Sequence, residues 1–394
     1  MTDTETDCTK RDIYFDNAST SWPKPPGVSE AMKAFLDNTG GNPGRSGHTR
    51  SFKAGDIVAD TRRKIAAFFG VADPSCVIFG QNCSFGLTLA IRGLLRPGDH
   101  AIATQMDHNS ILRPLRFMES RYGVEMTIVE CRPDGTADPA NVKAAVRPNT
   151  KLICGCHASN VVGTMINIAA LAEIAHAAGA FLLVDSAQSA GVLPIDMERD
   201  GIDLLAFAGH KGLMGPHGTG GLCMRRPIPE MDPLILGGTG SVSEQDTQPE
   251  DLPDRYEAGT ANVVGLAGLG VALDWVNATG LDAIRSKEED LAARMIEGLS
   301  RIAGVTLYGP KDPKKQTAVV SIRIEGMRPL RAGKVLDEQY GIAARVGLHC
   351  APHAHRAIGT FPEGTVRFGL GYFNTMDEAD YTIDTVKKIA AHPA

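Results

Sequence analysis

The sequence predicts an α/β fold, a mostly parallel sheet flanked by helices, followed by a smaller α+β unit. Three observations carry this reading. From Cys76 to Met224, β-rich runs alternate with amphipathic stretches. The runs are four to six residues long and bounded by turn residues, which suits buried strands rather than helices. Beyond a polar, acidic, proline-containing stretch (241–255) the order changes to two long helical patterns and then further strands.

In chain order the runs are CVIF (76–79), HAIAT (100–104), MTIVE (126–130), KLICGC (151–156), AFLLVD (180–185), DLLAFA (203–208) and GLCM (221–224). Amphipathic segments lie between them at 84–95, 138–147 and 168–178. In the last, Ile168, Leu171, Ile174 and Ala175 fall at helical spacing and Gly179 stops the helix. The second unit opens with helical patterns near 262–278 and 281–302. It continues through TAVVSIRI (317–324), IAARV (342–346) and TVRFGL (365–370), and closes with a helix near 376–391. This predicts a large domain over 14–260 and a small C-terminal domain over 261–394. The segment 14–40, with a helix opening around Pro26, can pack on either.

Composition removes several functional classes. The 394 residues are 43% hydrophobic and 22% charged, enough chain to build a core without disulfides or structural metal. Eight cysteines (Cys8, Cys76, Cys83, Cys131, Cys154, Cys156, Cys223 and Cys350) show no framework spacing, and the first dozen residues lack the apolar core of a signal peptide. A cytoplasmic protein with reduced thiols is expected. No apolar run reaches the ~20 residues of a membrane span. With a net charge of −6 and its densest basic cluster, Lys311 to Lys315, beside a Gly-Pro turn, the chain is not expected to bind nucleic acid, and that cluster reads as a solvated loop.

In open α/β sheets, ligands bind beyond the carboxyl ends of the strands, so the residues just after each run carry the chemistry. AFLLVD ends on Asp185, and DLLAFA runs into Gly209, His210, Lys211 and the glycine-rich GLMGPHGTGG. A lysine in a tight loop beside an imidazole is a candidate Schiff-base amine. A buried carboxylate aimed at a pyridine nitrogen would keep that ring an electron sink. The two together suggest pyridoxal phosphate. The strand-turn-helix around Cys83 and Ser84 supplies free N–H groups and a hydroxyl for a phosphate, a plain helix cap being the alternative. His108, after HAIAT, can stack on a planar ring, while Asn160 and Gln188 can bond its oxygen substituent.

Seven stretches resemble the class V aminotransferase superfamily, and within it the cysteine desulfurases. They are YFDNASTSWPKPP (14–26), CHASNVVGTMIN (156–167), VDSAQSAG (184–191), AGHKGLMGPHGTGG (208–221), YEAGTANVVG (256–265), and RVGLHCAPHAH (345–355) with TVRFGLGYFNT (365–375). The resemblance implies a type I pyridoxal-phosphate transferase fold with a seven-stranded large domain, working as a homodimer on an amino-acid substrate, L-cysteine or an analogue. It implies Lys211 as the Schiff-base lysine, Asp185 on the pyridine nitrogen, His108 stacked on the ring, and Asn160 and Gln188 near its O3. Cys83, Ser84 and His210 fall at the phosphate cup, Thr260 at the phosphate of the other subunit, and Arg367 at the substrate carboxylate, with His48 and Arg345 as further substrate contacts. The chain departs at Ala208, where the family has a hydroxyl, and at Cys83 and Phe85, where it commonly has Ala and Glu.

Cys350 occupies the position of the persulfide-forming cysteine, and Arg345-Val-Gly-Leu-His-Cys350 resembles the subgroup with a constrained, selenocysteine-lyase-like loop, which passes sulfur to an acceptor protein. Arg345 and the neighbouring histidines would favour its thiolate. The alternatives are an inert thiol, or a metal site of His349, Cys350, His353 and His355 helped by Cys154 and Cys156. Selenocysteine lyase, cysteine-sulfinate desulfinase, another C–S lyase of the superfamily and a non-catalytic scaffold are the competing functions.

Overall fold

The structure, a computed structural model, describes residues 11–44 and 47–392; Cys8 lies outside them. In chain order the strands and helices are β1 (Ile13–Tyr14), α1 (Val28–Ala34), α2 (Thr49–Phe69), β2 (Val77–Gly80), α3 (Cys83–Leu94), β3 (His100–Thr104), α4 (Asn109–Tyr122), β4 (Glu125–Val129), α5 (Pro139–Ala144), β5 (Thr150–Cys156), α6 (Ile168–Ala177), β6 (Phe181–Asp185), β7 (Leu204–Ala208), β8 (Gly220–Met224), α7 (Val263–Thr279), α8 (Leu281–Ser300), β9 (Val305–Tyr308), β10 (Val319–Ile324), α9 (Pro329–Tyr340), β11 (Ile342–Ala343), β12 (Arg345–Gly347), α10 (Pro352–Ala357), β13 (Thr365–Gly369) and α11 (Met376–Ala391).

Seven strands form one sheet in the order β2-β8-β7-β6-β5-β3-β4, in which only β8 runs antiparallel to its neighbours. Its central strands are apolar on both faces; β3, β7 and β8 are buried at every residue, as a parallel sheet covered on both sides requires. Four more strands, β12-β13-β10-β9, form an antiparallel sheet. α8, α9 and α11 cover it around a second core that includes Leu291, Met295, Ile322, Leu336, Phe368 and Val386. β1 pairs with β11, and Phe15 is buried in this second core, whereas Val28 of α1 packs against Ala272 and Val276 of α7.

Two long helices escape the periodicity reading. α2 buries only a narrow stripe through Ala54, Thr61, Ile65 and Phe69, and α4 carries Pro114 in its interior, which reads as a helix break in sequence. The run IAARV, expected as one strand, divides between β11 and β12, which belong to different sheets. Lys315 in the basic cluster is exposed and paired with Asp312. Among the described residues, no single helix is long and apolar enough to cross a membrane.

Candidate active site

The turns after β2, β3, β5, β6 and β7 converge at one edge of the large sheet. Around the cavity there they place Cys83, Ser84, His108, Asn160, Asp185, Gln188, His210 and Lys211 together, with Ala208 in its wall. Each comes from the carboxyl end of its strand, which fixes its direction without a long loop. Asn82 caps α3 by accepting from the Phe85 N–H (3.0 Å), leaving the first-turn N–H groups of Cys83 and Ser84 unspent. The 209–219 loop is closed on itself by Gly209 N–H to the Thr219 carbonyl (2.9 Å) and Gly215 N–H to the Gly209 carbonyl (2.8 Å). Gly191, at φ +83°, lies so close to Gly212 that a Cβ there would sit 2.1 Å from the Gly212 oxygen. That contact presses the Asp185–Gln188 turn against the lysine loop.

The lysine amine of Lys211 makes no hydrogen bond or ion pair among the described residues, and its side chain is half-buried in the cavity wall. Burial lowers its pKa, Asp185 opposes this, and the guanidiniums of Arg367 and Arg345 reinforce it. Asp185 accepts on one oxygen from the Ala187 N–H (2.9 Å) and from the Cys83 thiol (3.2 Å). The His108 Nδ1 accepts from the Ser110 N–H (3.1 Å), so its proton sits on Nε2. Burial holds that imidazole neutral, its pKa lowered to about 4. Ser110 also bonds Ser84, hydroxyl to hydroxyl at 2.6 Å, tying the stacking residue to the anion cup. His210 is likewise held neutral by burial, at about 4, stacks on His217, and its buried Nδ1 has no partner among the described residues. The buried Oδ1 of Asn160 also has no partner among the described residues, while its amide donates to the His349 carbonyl at 2.6 Å. Gln188 donates to the Ala18 carbonyl (2.8 Å).

Cys350 is exposed on an adjoining groove that shares Ser84, His108 and Ser110 with the lysine cavity. His349 and Cys350 both have left-handed backbone, φ +48° and +59°, a cost held in place by Asn160 on the His349 carbonyl and by the Asn109 N–H on the Cys350 carbonyl (2.9 Å). Arg345 points a guanidinium N–H at the sulfur (3.4 Å) and another at the Ser19 hydroxyl (3.4 Å). The histidines do not add positive charge. Burial lowers the pKa of His349 strongly, of His355 to about 4 and of His353 as well, so the expectation that they support a thiolate is corrected to Arg345 alone. His349 is instead spent on Thr365 and His355 on Thr360. Among the described residues no three His, Cys, Asp or Glu side chains form a group able to hold a metal. Cys154 is core, and Cys156 turns its thiol to the Ala158 carbonyl (2.9 Å).

Arg367 is fully buried on β13. It donates to the Asn160 carbonyl (2.8 Å), to Asp16 (2.9 Å) and to Ser19 (3.0 Å), while its Nε has no partner among the described residues. Ser19 thus lies between the guanidiniums of Arg345 and Arg367. Two residues stand apart from the lysine cavity of their own chain. His48 caps α2, and Thr260 lines a separate cleft of about 520 Å³ beside Gly80 and Phe85. A fork between Arg62 and Glu257 (2.6 and 2.8 Å), with Phe79 N–H on the same carboxylate, pins the Thr260 loop against β2.

Sequence reading missed Asp16, Ser19, Asp107 and Ser110. Asp107 joins two strand ends by accepting from the Thr104 (2.6 Å) and Cys156 (2.7 Å) N–H groups, and burial pushes its carboxyl up to about 7. Its place directly before His108 was the available signal.

The geometry is that of a cleft over the strand ends of a mostly parallel sheet, with a half-buried amine and a carboxylate in its wall. The sequence profile of the class V aminotransferases matches residues 13–382, and the chain belongs to that family. Its fold is the pyridoxal-phosphate transferase fold of that family. A probable cysteine desulfurase of Methanothermobacter thermautotrophicus is 34% identical over 383 residues, 96% of this chain and 94% of that one. A cysteine desulfurase of Haloferax volcanii is 31% identical, covering 95% and 88%. Among solved structures, the apo cysteine desulfurase of Thermococcus onnurineus NA1 superposes with a TM-score of 0.91 at 32% identity, covering 96% and 95%. The Escherichia coli cysteine desulfurase CsdA does so with 0.85 at 26%, covering 97% and 95%.

Proposed function

We propose that this protein is a pyridoxal-phosphate-dependent cysteine desulfurase that converts L-cysteine to L-alanine and leaves the sulfur as a persulfide on Cys350. The observation that carries the reading is the exposed Cys350 thiol, held by Arg345 on a groove continuous with the lysine cavity.

The residues present fit the cofactor. A half-buried amine (Lys211), a carboxylate (Asp185), a neutral imidazole platform (His108) and two buried polar atoms without a partner among the described residues, Asn160 Oδ1 and His210 Nδ1, form a donor and acceptor set of the right chemistry. When bound, pyridoxal phosphate supplies an electron sink for the substrate's α-carbon. Lys211, with its pKa lowered, takes and returns the proton at that carbon. Asp185 holds a proton on the pyridine nitrogen, and Gln188 and Asn160 orient the ring oxygen. Ser84 and the α3 N-terminus take the phosphate, where Ala208 offers no hydroxyl. Arg367 and Arg345 flank the substrate carboxylate, with Ser19 between them.

Cys350 attacks the substrate sulfur. The new S–S bond forms as the C–S bond breaks, the released electron pair stays with the substrate carbon, and a proton completes alanine, so that one cysteine and one thiol yield one alanine and one persulfide. An acceptor protein in a reducing compartment such as the cytoplasm then removes the outer sulfur. Two chains form a homodimer in which Thr260 reaches the partner's phosphate.

The test is Cys350→Ala, with alanine and sulfide measured from cysteine plus a reductant. Cofactor loading unchanged and both products lost is the expected result. Full alanine production by the variant moves the protein to a thiol-independent C–S lyase, and turnover of selenocysteine or cysteine sulfinate alone would identify which.

A further inference from the structure

The Cys83 thiol is a buried polar group that none of the steps above uses. It lies at the first turn of α3, 7% exposed, on the wall of the lysine cavity. Its sulfur is 3.2 Å from one oxygen of Asp185, and the same oxygen receives the Ala187 N–H at 2.9 Å. The other oxygen of Asp185 has no partner among the described residues. A carboxylate with two donors on one oxygen is fixed in its torsion and offers the second oxygen in a single direction. The second cavity thiol, Cys156, does not compete, because it donates to the Ala158 carbonyl.

We propose that Cys83 is a positioning residue whose S–H donates to Asp185, turning the free carboxylate oxygen toward the pyridine nitrogen and setting the cofactor's proton affinity. The proposal rests on the cofactor reading above. Cys83 acts as a donor only. Burial and the adjacent Asp185 charge drive its pKa well up, so it stays protonated and cannot act as a nucleophile. A thiol is a weaker donor than a hydroxyl, so it restrains the carboxylate while leaving most of the negative charge for the pyridinium. Alanine at this position would leave the carboxylate held by Ala187 alone.

The experiment compares wild type, Cys83→Ala and Cys83→Ser as apoenzymes reconstituted with pyridoxal phosphate. It reads the cofactor dissociation constant, the pH midpoint of the bound cofactor's visible band, and the infrared S–H stretch. The S–H band lost in Cys83→Ala should sit at low frequency in wild type and rise in Asp185→Asn, whose amide oxygen is a poorer acceptor. Cys83→Ala should bind the cofactor about threefold to tenfold more weakly, the loss of one modest hydrogen bond. Its band midpoint should move to higher pH as charge concentrates on Asp185. Cys83→Ser should restore the affinity and carry the midpoint to or below the wild-type value. Equal affinities and midpoints in all three proteins overturn the proposal, as does a Cys83→Ser that behaves like the alanine variant or an S–H band indifferent to Asp185→Asn. A wild type that takes up no pyridoxal phosphate overturns the cofactor reading itself.

Discussion

Replacing Glu288 by glutamine should make the protein more stable in alkaline solution and leave it unchanged in acid. Glu288 is buried on α8, 5% exposed, and lines a small cavity with Lys211, Gln188, Ser21 and Thr317. No hydrogen bond or ion pair reaches its carboxyl among the described residues. The cation one turn away, Arg285, is already engaged by Glu289 (2.7 Å) and the Pro313 carbonyl (2.7 Å). Burial therefore raises the carboxyl pKa to about 8, with Arg285 opposing weakly. A raised acid is protonated when folded and ionised when unfolded. Unfolding then releases a proton, and stability falls as pH climbs from about 4.5 to about 8, with no further loss above that. At 1.36 kcal/mol per pKa unit, the full penalty is on the order of 4–5 kcal/mol. Glutamine keeps the shape and cannot ionise. For a chain of 394 residues, with unfolding entropy near 2.1 cal/mol/K per residue, the gain amounts to about 5 °C. The assay is calorimetric unfolding of both proteins from about pH 5 to 9, read as the difference in Tm at each pH. The half-buried histidines His108, His157 and His210 and the buried His355, each lowered to about 4, contribute a slope of opposite sign at acid pH, and taking the difference removes it. A constant offset across the range would show that Glu288 does not titrate with folding.

Two further outcomes follow from the site. Arg367→Lys should keep a positive charge near Asp16 but lose the planar fork, raising the KM for cysteine about tenfold to a hundredfold with a smaller change in kcat; steady-state kinetics check it, and an unchanged KM removes Arg367 from substrate binding. Thr260→Ala should weaken cofactor retention by about 1.5–3 kcal/mol if the hydroxyl serves a neighbour's phosphate. Equilibrium dialysis with sedimentation reads both affinity and assembly, and an active monomer of wild-type affinity sinks the shared site.

What was legible in the sequence is what short-range chemistry writes down. Buried parallel strands must be continuous apolar runs, so β3, β6 and β7 read directly, and the sheet puts whatever follows them on one edge. His108, Asp185 and Lys211 therefore came into view together. Helices with narrow apolar stripes did not, because α2 packs Ile65 and Phe69 into the core of the large sheet and Ala54 against Phe35 and Val263 while its other faces stay polar. The division of IAARV was invisible for a related reason: local propensity marks a residue as extended but does not say which neighbour it pairs with.

The groups that tune the site are the ones sequence could not show, because they act between distant segments. Asp16 meets Arg367 across 351 residues, Cys83 meets Asp185 across 102, and Asp107 joins β3 to β5 across 49. Asp16 and Asp107 are ordinary residue types in polar runs, and Cys83, though visible as a candidate, gives no sign in the sequence of its Asp185 partner. Cys350 shows the same division of labour. Its identity as a candidate thiol could be read from the motif, but its neighbourhood could not, and three histidines in seven residues looked like a source of charge. Folding buries or half-buries those rings and neutralises them, while a single arginine five residues upstream reaches the sulfur. Near a nucleophile, burial decides which nearby bases carry charge, and guanidinium is the one cation that keeps its proton there.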